Sequence, residues 1–192
     1  MGRYIAIALN AADSTFYYTN AVPQHKDLNR DIWRSLEDYI LHTETKKNEL
    51  KVNVFTGPIL SSHNPYFVTP LKDVQIQIPA LFWKVVVFEK DDGELYRVGF
   101  MMGQNKLLID NAIIESLESQ DDLFNDFKDA ETYQVNITLI EELSGIKMPI
   151  AIDSYTDTRN IKLVLQEIDI DPDLESFSSE YELGFIIENL KL

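Results

Sequence analysis

The sequence predicts an α+β domain: a central antiparallel sheet with flanking helices. Three observations carry that expectation. Phe82-Trp83-Lys84-Val85-Val86-Val87-Phe88 is an almost continuous apolar run, the mark of a central strand. Asp91-Asp92-Gly93 then turns the chain back into Leu95–Met102, its hairpin partner. Between residues 28 and 42, Ile32, Leu36 and Ile40 recur at four-residue spacing beside Trp33, with charged residues on the other side, which is a helix pattern.

The remaining elements follow in order. Thr15-Phe16-Tyr17-Tyr18-Thr19 is aromatic and β-branched and reads as a strand. Asp27 is placed to cap the helix that follows, and Lys46–Glu49 is a polar break. Val52–Thr56 alternates and stops at Gly57-Pro58. Residues 60–72 form a loop, and Val74-Gln75-Ile76-Gln77-Ile78 alternates strictly, as a half-buried strand does, before Pro79 closes it. Residues 110–130 are acidic and read as either a short helix or a long excursion. Tyr133–Thr138 is strand-like; Thr138-Leu139-Ile140-Glu141 has the form of a capping box, and Gly145 is placed to end that helix. Ile161–Ile170 reads as strand or helix, and Tyr181–Leu192 as a terminal strand. The expected organisation is one domain over residues 1–150, with an acidic extension, 151–192, packed on it.

Composition bounds the function. The 192 residues are enough for one sizeable core. Cysteine is absent, which excludes disulfides, thiolate nucleophiles and cysteine metal sites in this chain. No apolar stretch approaches the ~20 residues of a membrane helix, and the N-terminus is a poor secretory signal, so no membrane partner is expected and the compartment stays open. There is no P-loop, no glycine-rich dinucleotide turn, and no serine with a histidine at recognisable spacing. The net charge of −15 argues against a polyanionic partner until its distribution is considered. Residues 1–90 hold ten Lys/Arg against nine Asp/Glu, and residues 91–192 hold seven against twenty-three. The front half is near neutral, with Lys26, Arg30 and Arg34 close together, and can face a polyanion locally. The acidic half reads first as a solvated surface.

The chemistry-bearing stretch is Asn20–Glu37. On an α-helix, Asn29 and Glu37 lie two turns apart and about 80° apart in projection. An Asn carbonyl is a hard, neutral ligand suited to Mg²⁺, which keeps most of its waters, and a carboxylate two turns on can hold one of those waters. On spacing alone, Asn29 reads first as a helix cap and Glu37 as a solvated residue, ahead of any metal role. Arg30 and Arg34, four apart, suit phosphate contact or an ion pair with Glu37 or Asp38.

Asn20-x-x-Pro23-Gln24 followed by Asn29-x-x-x-Trp33-x-x-Leu36-Glu37 resembles the DNA/RNA non-specific endonuclease family, sugar-non-specific nucleases of the ββα-metal (His-Me finger) fold. The likeness continues in order through Val54-Phe55-Thr56-Gly57-Pro58, Ile78-Pro79, Phe82-Trp83-Lys84-Val85, Tyr133-Gln134-Val135, Ile140-Glu141 and Ser144-Gly145. It covers roughly residues 13–149 and is weaker over the last forty. The resemblance implies Mg²⁺- or Mn²⁺-dependent phosphodiester hydrolysis of DNA and RNA, leaving 5′-phosphates. By motif position it implies Asn29 as the metal ligand, Glu37 as holder of the ion's water shell and Asn20 as a residue of the active site. It leaves Arg30, Arg34 and His25 as candidate substrate contacts.

One departure qualifies the expectation. The family's histidine base belongs to an Asp-Arg-Gly-His motif upstream of the strand that ends at Asn20; the residues before Asn20 hold no histidine, and Gly2-Arg3-Tyr4 does not reproduce the motif. The expected protein is therefore nuclease-like, with the first part of its finger missing and its hydrolysis impaired. The alternative is an inactive nucleic-acid-binding or protein-interaction relative. His25 is a weak substitute for the base, whereas His42 and His63 read as incidental. Self-association and a complementing chain that supplies the histidine strand both remain open, as does export, common in the family.

Overall fold

The computed structural model describes residues 21–40, 51–68, 75–114, 127, 130–169 and 183–192. The expected strand at Thr15–Thr19, Asn20, His42, the break at Lys46–Glu49 and most of the acidic 110–130 stretch lie outside those residues.

A sheet organises the described chain. Its strands are β1 (Val52–Pro58), β2 (Leu81–Glu89), β3 (Leu95–Gly103), β4 (Thr132–Val135), β5 (Ile152–Asp153) and β6 (Ile161–Lys162). Their order is β1-β2-β3-β4-β6, all antiparallel, with β5 joining β3 in parallel. β7 (Leu165–Asp169) and β8 (Leu183–Ile187) form a separate antiparallel pair. The α+β expectation holds. The β2–β3 hairpin closes as its Asp-Asp-Gly signal requires. Gly93 takes φ 80°, a conformation that costs glycine little, and its N–H donates to the Lys90 carbonyl.

β2 is central and buried on both faces, which is why its sequence is nearly continuous in apolar residues. Side chains alternate along it. Leu81, Trp83, Val85 and Val87 join Met101, Tyr133 and Val135 beneath helix α3 (Ile137–Ser144), which contributes Ile137 and Ile140. Phe82, Val86 and Phe88 join Val98, Phe100 and Met102 beneath helix α1 (Leu28–Trp33 continuing into Arg34–Asp38), which contributes Leu28, Trp33 and Leu36, with Tyr39 and Ile40 just after it. Lys84 shares that second face, pointing toward α1. A short helix α2 (Asn105–Asp110) follows β3.

The structure corrects four local expectations. α1 is not a uniform α-helix: Leu28–Trp33 is a π-helical turn that continues into α-helical Arg34–Asp38. Its buried residues step by five from Leu28 to Trp33, and i→i+5 hydrogen bonding is what brings that spacing onto one face. Its N-terminal cap is His25, not Asp27: the Asp27 N–H donates to His25 Nδ1 at 3.2 Å. α3 is capped by Asn136, whose side chain accepts from the Leu139 N–H at 2.8 Å, not by Thr138; Gly145 ends it at φ 69°, as expected. The described part of the alternating segment, 75–78, makes one isolated bridge, Gln77 with Tyr66, instead of a strand, while Phe67 bridges Ile114. Its partner is the proline-containing loop, too short and irregular to extend a ladder. The ambiguous Ile161–Ile170 segment resolves into β6 and β7.

One charged network ties the α3 side together. Arg97 donates through Nε to Asp153 and through Nη1 to the Pro149 carbonyl, and lies 3.6 Å from Glu141. Glu141 also accepts from Lys147 and from the Met148 N–H. The Lys147 hydrogen bond, the Met148 amide and the nearby charges of Lys147 and Arg97 hold the Glu141 carboxyl below its ordinary value. In the window between the folded and unfolded values the unfolded chain binds more protons. This contribution is therefore full above the ordinary 4.5 and is lost as pH falls through the folded value. The expected result is that wild-type protein melts above Glu141→Gln at neutral pH, and that the gap closes as thermal scans are taken below about pH 4.5.

Candidate metal and nucleic-acid site

The loop before α1 sets the site, and two buried polar residues set the loop. Gln104 is fully buried at the end of β3. Its Oε1 accepts from the His25 N–H at 2.7 Å, while its Nε2 donates to the Pro79 carbonyl at 2.6 Å and lies 3.4 Å from the Pro23 carbonyl. One amide thus fastens the Pro23–His25 segment to the sheet with its hydrogen-bonding capacity spent on backbone groups, as a buried amide requires. The His25 carbonyl then accepts from the Asn29 N–H at 3.0 Å and starts the helix.

His25 itself is buried, its side chain 4% exposed. Nδ1 also lies 3.7 Å from Asp27 Oδ2, a contact that is ionic only for a protonated ring. The shorter contact is the Asp27 backbone N–H, and it needs the Nδ1 lone pair. Nδ1 is thereby engaged as an acceptor inside the loop.

Asn29 is exposed near the start of α1. Its Nδ2 donates to Gln24 Oε1 at 2.8 Å, so the amide is oriented and its Oδ1 has no hydrogen-bond partner among the described residues. That leaves a hard oxygen ligand presented to solvent. Glu37 lies further along the helix with its side chain 47% exposed. One oxygen, Oε1, accepts from Lys84 Nζ at 2.8 Å. The other carries no such bond among the described residues. Lys84 is 1% exposed, and its ammonium sits 4.3 Å from the centroid of the Trp33 ring. Trp33 in turn packs edge-on against Phe82, centroids 6.1 Å apart. Burial pushes the Lys84 ammonium below its ordinary value, opposed by the hydrogen bond and charge of Glu37.

The basic residues separate. Arg34 is exposed and pairs with Asp38, Nε to Oδ2 3.4 Å, an i,i+4 pair worth little in water. Arg30 is exposed and makes no ion pair among the described residues. Lys26 is exposed and lies 3.9 Å from Asp27.

Of the residues singled out by sequence, Asn29, Arg30, Arg34 and Glu37 share α1, His25 lies buried at its start, and Asn20 is outside the described residues. Sequence reasoning gave no role to Gln24, Lys84 or Gln104. Lys84 carried a signal: a lone charge inside an apolar strand must have a partner.

No cluster of three or more His, Cys, Asp or Glu suited to a metal occurs among the described residues. A site resting on one amide oxygen does not require such a cluster, and the oriented, unspent Asn29 Oδ1 fits a hydrated divalent cation. No helix among the described residues is long and apolar enough to cross a membrane.

Comparison with known proteins places this arrangement in context. The model of a family described as DNA/RNA non-specific endonuclease matches residues 3–154. An uncharacterised protein, y4fB, of Sinorhizobium fredii is 31% identical over 144 residues, which cover 74% of this chain and 20% of that protein. A nuclease of Nostoc sp. is 30% identical over 137 residues, covering 71% and 42%. The mitochondrial endonuclease G of Bos taurus is 32% identical over 101 residues, covering 48% and 32%. Among solved structures, a chain from the crystal structure of the EndoG/EndoGI complex aligns with a TM-score of 0.44 at 26% identity, covering 71% of this chain and 51% of that one. The chain spans between 20% and 42% of the length of these curated relatives.

Proposed function

The chain belongs to the DNA/RNA non-specific endonuclease family, generally metal-dependent nucleases that act on nucleic acid, and on that premise we propose that it carries the metal-holding part of a phosphodiesterase site. Asn29 binds a Mg²⁺ or Mn²⁺ ion through Oδ1. Glu37 accepts a hydrogen bond from the ion's hydration shell through its unspent oxygen. When bound, the cation supplies charge neutralisation at the phosphate of DNA or RNA. Arg30, with no ion pair among the described residues, contacts a neighbouring phosphate, and Arg34 does so by exchanging its weak pair with Asp38. Asn20, four residues before Gln24, belongs to the same site. His25 serves the substrate by fixing the loop that carries Gln24 and Asn29.

The observation that carries this reading is Asn29: an exposed amide, oriented by Gln24, whose oxygen has no hydrogen-bond partner among the described residues. The spent Nδ1 of His25 supports the second part of the proposal, that this chain by itself binds nucleic acid but hydrolyses it poorly. A general base needs a lone pair within reach of the attacking water, whereas the His25 side chain is buried and its Nδ1 is engaged by the Asp27 N–H.

The test is plasmid degradation by the purified chain in Mg²⁺ or Mn²⁺. The expected result is no cleavage above the EDTA control. Rapid degradation that His25→Ala abolishes would contradict the impairment and make His25 the base.

A further inference from the structure

Lys84 is the costliest side chain near the site. It is 1% exposed in the middle of β2, a strand buried at every position but its last. Burying an ammonium costs several kcal/mol even after relaxation, and a well-made pair repays that only when both charges leave water together. Here they do not. Glu37 remains 47% exposed, so water screens the attraction that should compensate Lys84. The Trp33 face, 4.3 Å away, returns part of the cost. An apolar residue at this place, between Phe82 and Val86, would pack with less penalty. The ammonium therefore has a use other than stability, and its contacts indicate which one.

We propose that Lys84 is a positioning residue: its buried ammonium fixes the Glu37 carboxylate by one oxygen and leaves the other to accept from a hydrated divalent cation at Asn29. The inference rests on the metal-site reading above. Fixing comes from both sides. Glu37 Oε1 meets Nζ at 2.8 Å, and Nζ is held against the Trp33 ring, which is itself wedged edge-on against Phe82. Trp33 ends the π-helical turn and Glu37 lies in the α-helical turn after it, so the helix irregularity and the lysine act on the same carboxylate. A long side chain on an exposed helix face otherwise samples several rotamers, and this one is confined.

The experiment measures Mn²⁺ affinity of the purified full chain by electron paramagnetic resonance, alongside thermal unfolding. The proteins are wild type, Lys84→Met, Lys84→Gln, Glu37→Gln, Lys84→Met with Glu37→Gln, and Asn29→Ala. The expected result has three parts. Lys84→Met and Glu37→Gln each weaken Mn²⁺ binding roughly 10-fold, as outer-sphere changes do. The double variant binds no more weakly than Glu37→Gln, because Lys84 acts through Glu37. Lys84→Met melts at or above the wild-type temperature, which a stabilising role does not allow. Removing one positive charge by simple electrostatics would instead tighten cation binding. Affinity that depends on Asn29 but is unchanged or tighter in Lys84→Met overturns the positioning role alone. So do additive losses in the double variant, or loss of folding in both Lys84→Met and Lys84→Gln. Wild-type protein that binds no Mn²⁺, or binds it irrespective of Asn29→Ala, overturns the metal site and this inference with it.

Discussion

Asn29→Ala is expected to remove divalent-cation binding while leaving the fold intact. The side chain is exposed and makes one hydrogen bond among the described residues, to Gln24, so its loss costs stability within about 0.5 kcal/mol. Its oxygen is the single protein ligand of the proposed site, so affinity for Mg²⁺ or Mn²⁺ falls by at least ~10-fold, or about 1.4 kcal/mol. Titration calorimetry with unfolding curves measures both quantities on one sample. Equal affinity in wild type and variant would remove Asn29 from the site. A fall in affinity accompanied by a large loss of stability would make the residue structural.

Gly103→Ala is expected to produce the largest loss of stability of any substitution considered. A Cβ on Gly103 would lie 1.8 Å from the carbonyl oxygen of Phe127, and the obstacle is backbone, which cannot rotate aside. Phe127 is fully buried and meets Tyr133 edge-on at 5.2 Å, so its backbone has little room to retreat. Overpacking of this kind costs about 3 kcal/mol or more, and for a chain of this length that lowers the melting temperature by roughly 10 °C. Gly145→Ala is the comparison. Nothing lies within 4 Å of its Cβ, and only the left-handed φ of 69° opposes it, so about 1 kcal/mol is expected. Similar melting temperatures for the two variants would contradict the close approach at Gly103. Because Gln104 follows directly and fastens the site loop, Gly103→Ala is also expected to loosen the Pro23–His25 segment.

The sheet was legible because its signals are local. The apolar run of β2, the Asp-Asp-Gly turn and the return through β3 each sit within a few residues of one another, and the register follows from them. The helix over Asn29 and Glu37 was legible for the same reason, but its irregularity was not. Ile32, Leu36 and Ile40 suggested a regular four-residue stripe, whereas the buried residues also include Leu28 and Trp33. Their five-residue separation was the available mark of a π-helical turn. Caps were misassigned where tertiary structure chose among neighbours. His25 caps α1 since Gln104 already holds its backbone, and Asn136 caps α3 since β4 ends one residue before it.

The site was half legible. Asn29 and Glu37 could be singled out by residue type and by resemblance, since ligand chemistry is carried by the residue itself. What orients them could not. Gln24 is near in sequence but acts through a side-chain contact, while Lys84 and Gln104 reach the site across separations of 47 and 79 residues. Contacts at such distances come from the folding of the sheet under the helix, and no local pattern encodes them. The buried lysine shows what a sequence can still offer: it announces that a partner exists without naming Glu37.

Filter retention of labelled DNA and RNA by the purified chain, with Mg²⁺ and with EDTA at one moderate salt concentration, tests the central claim most directly. The account predicts retention in Mg²⁺ that EDTA removes and that Asn29→Ala does not show. Equal retention in Mg²⁺ and EDTA, or none at any salt concentration, would contradict it.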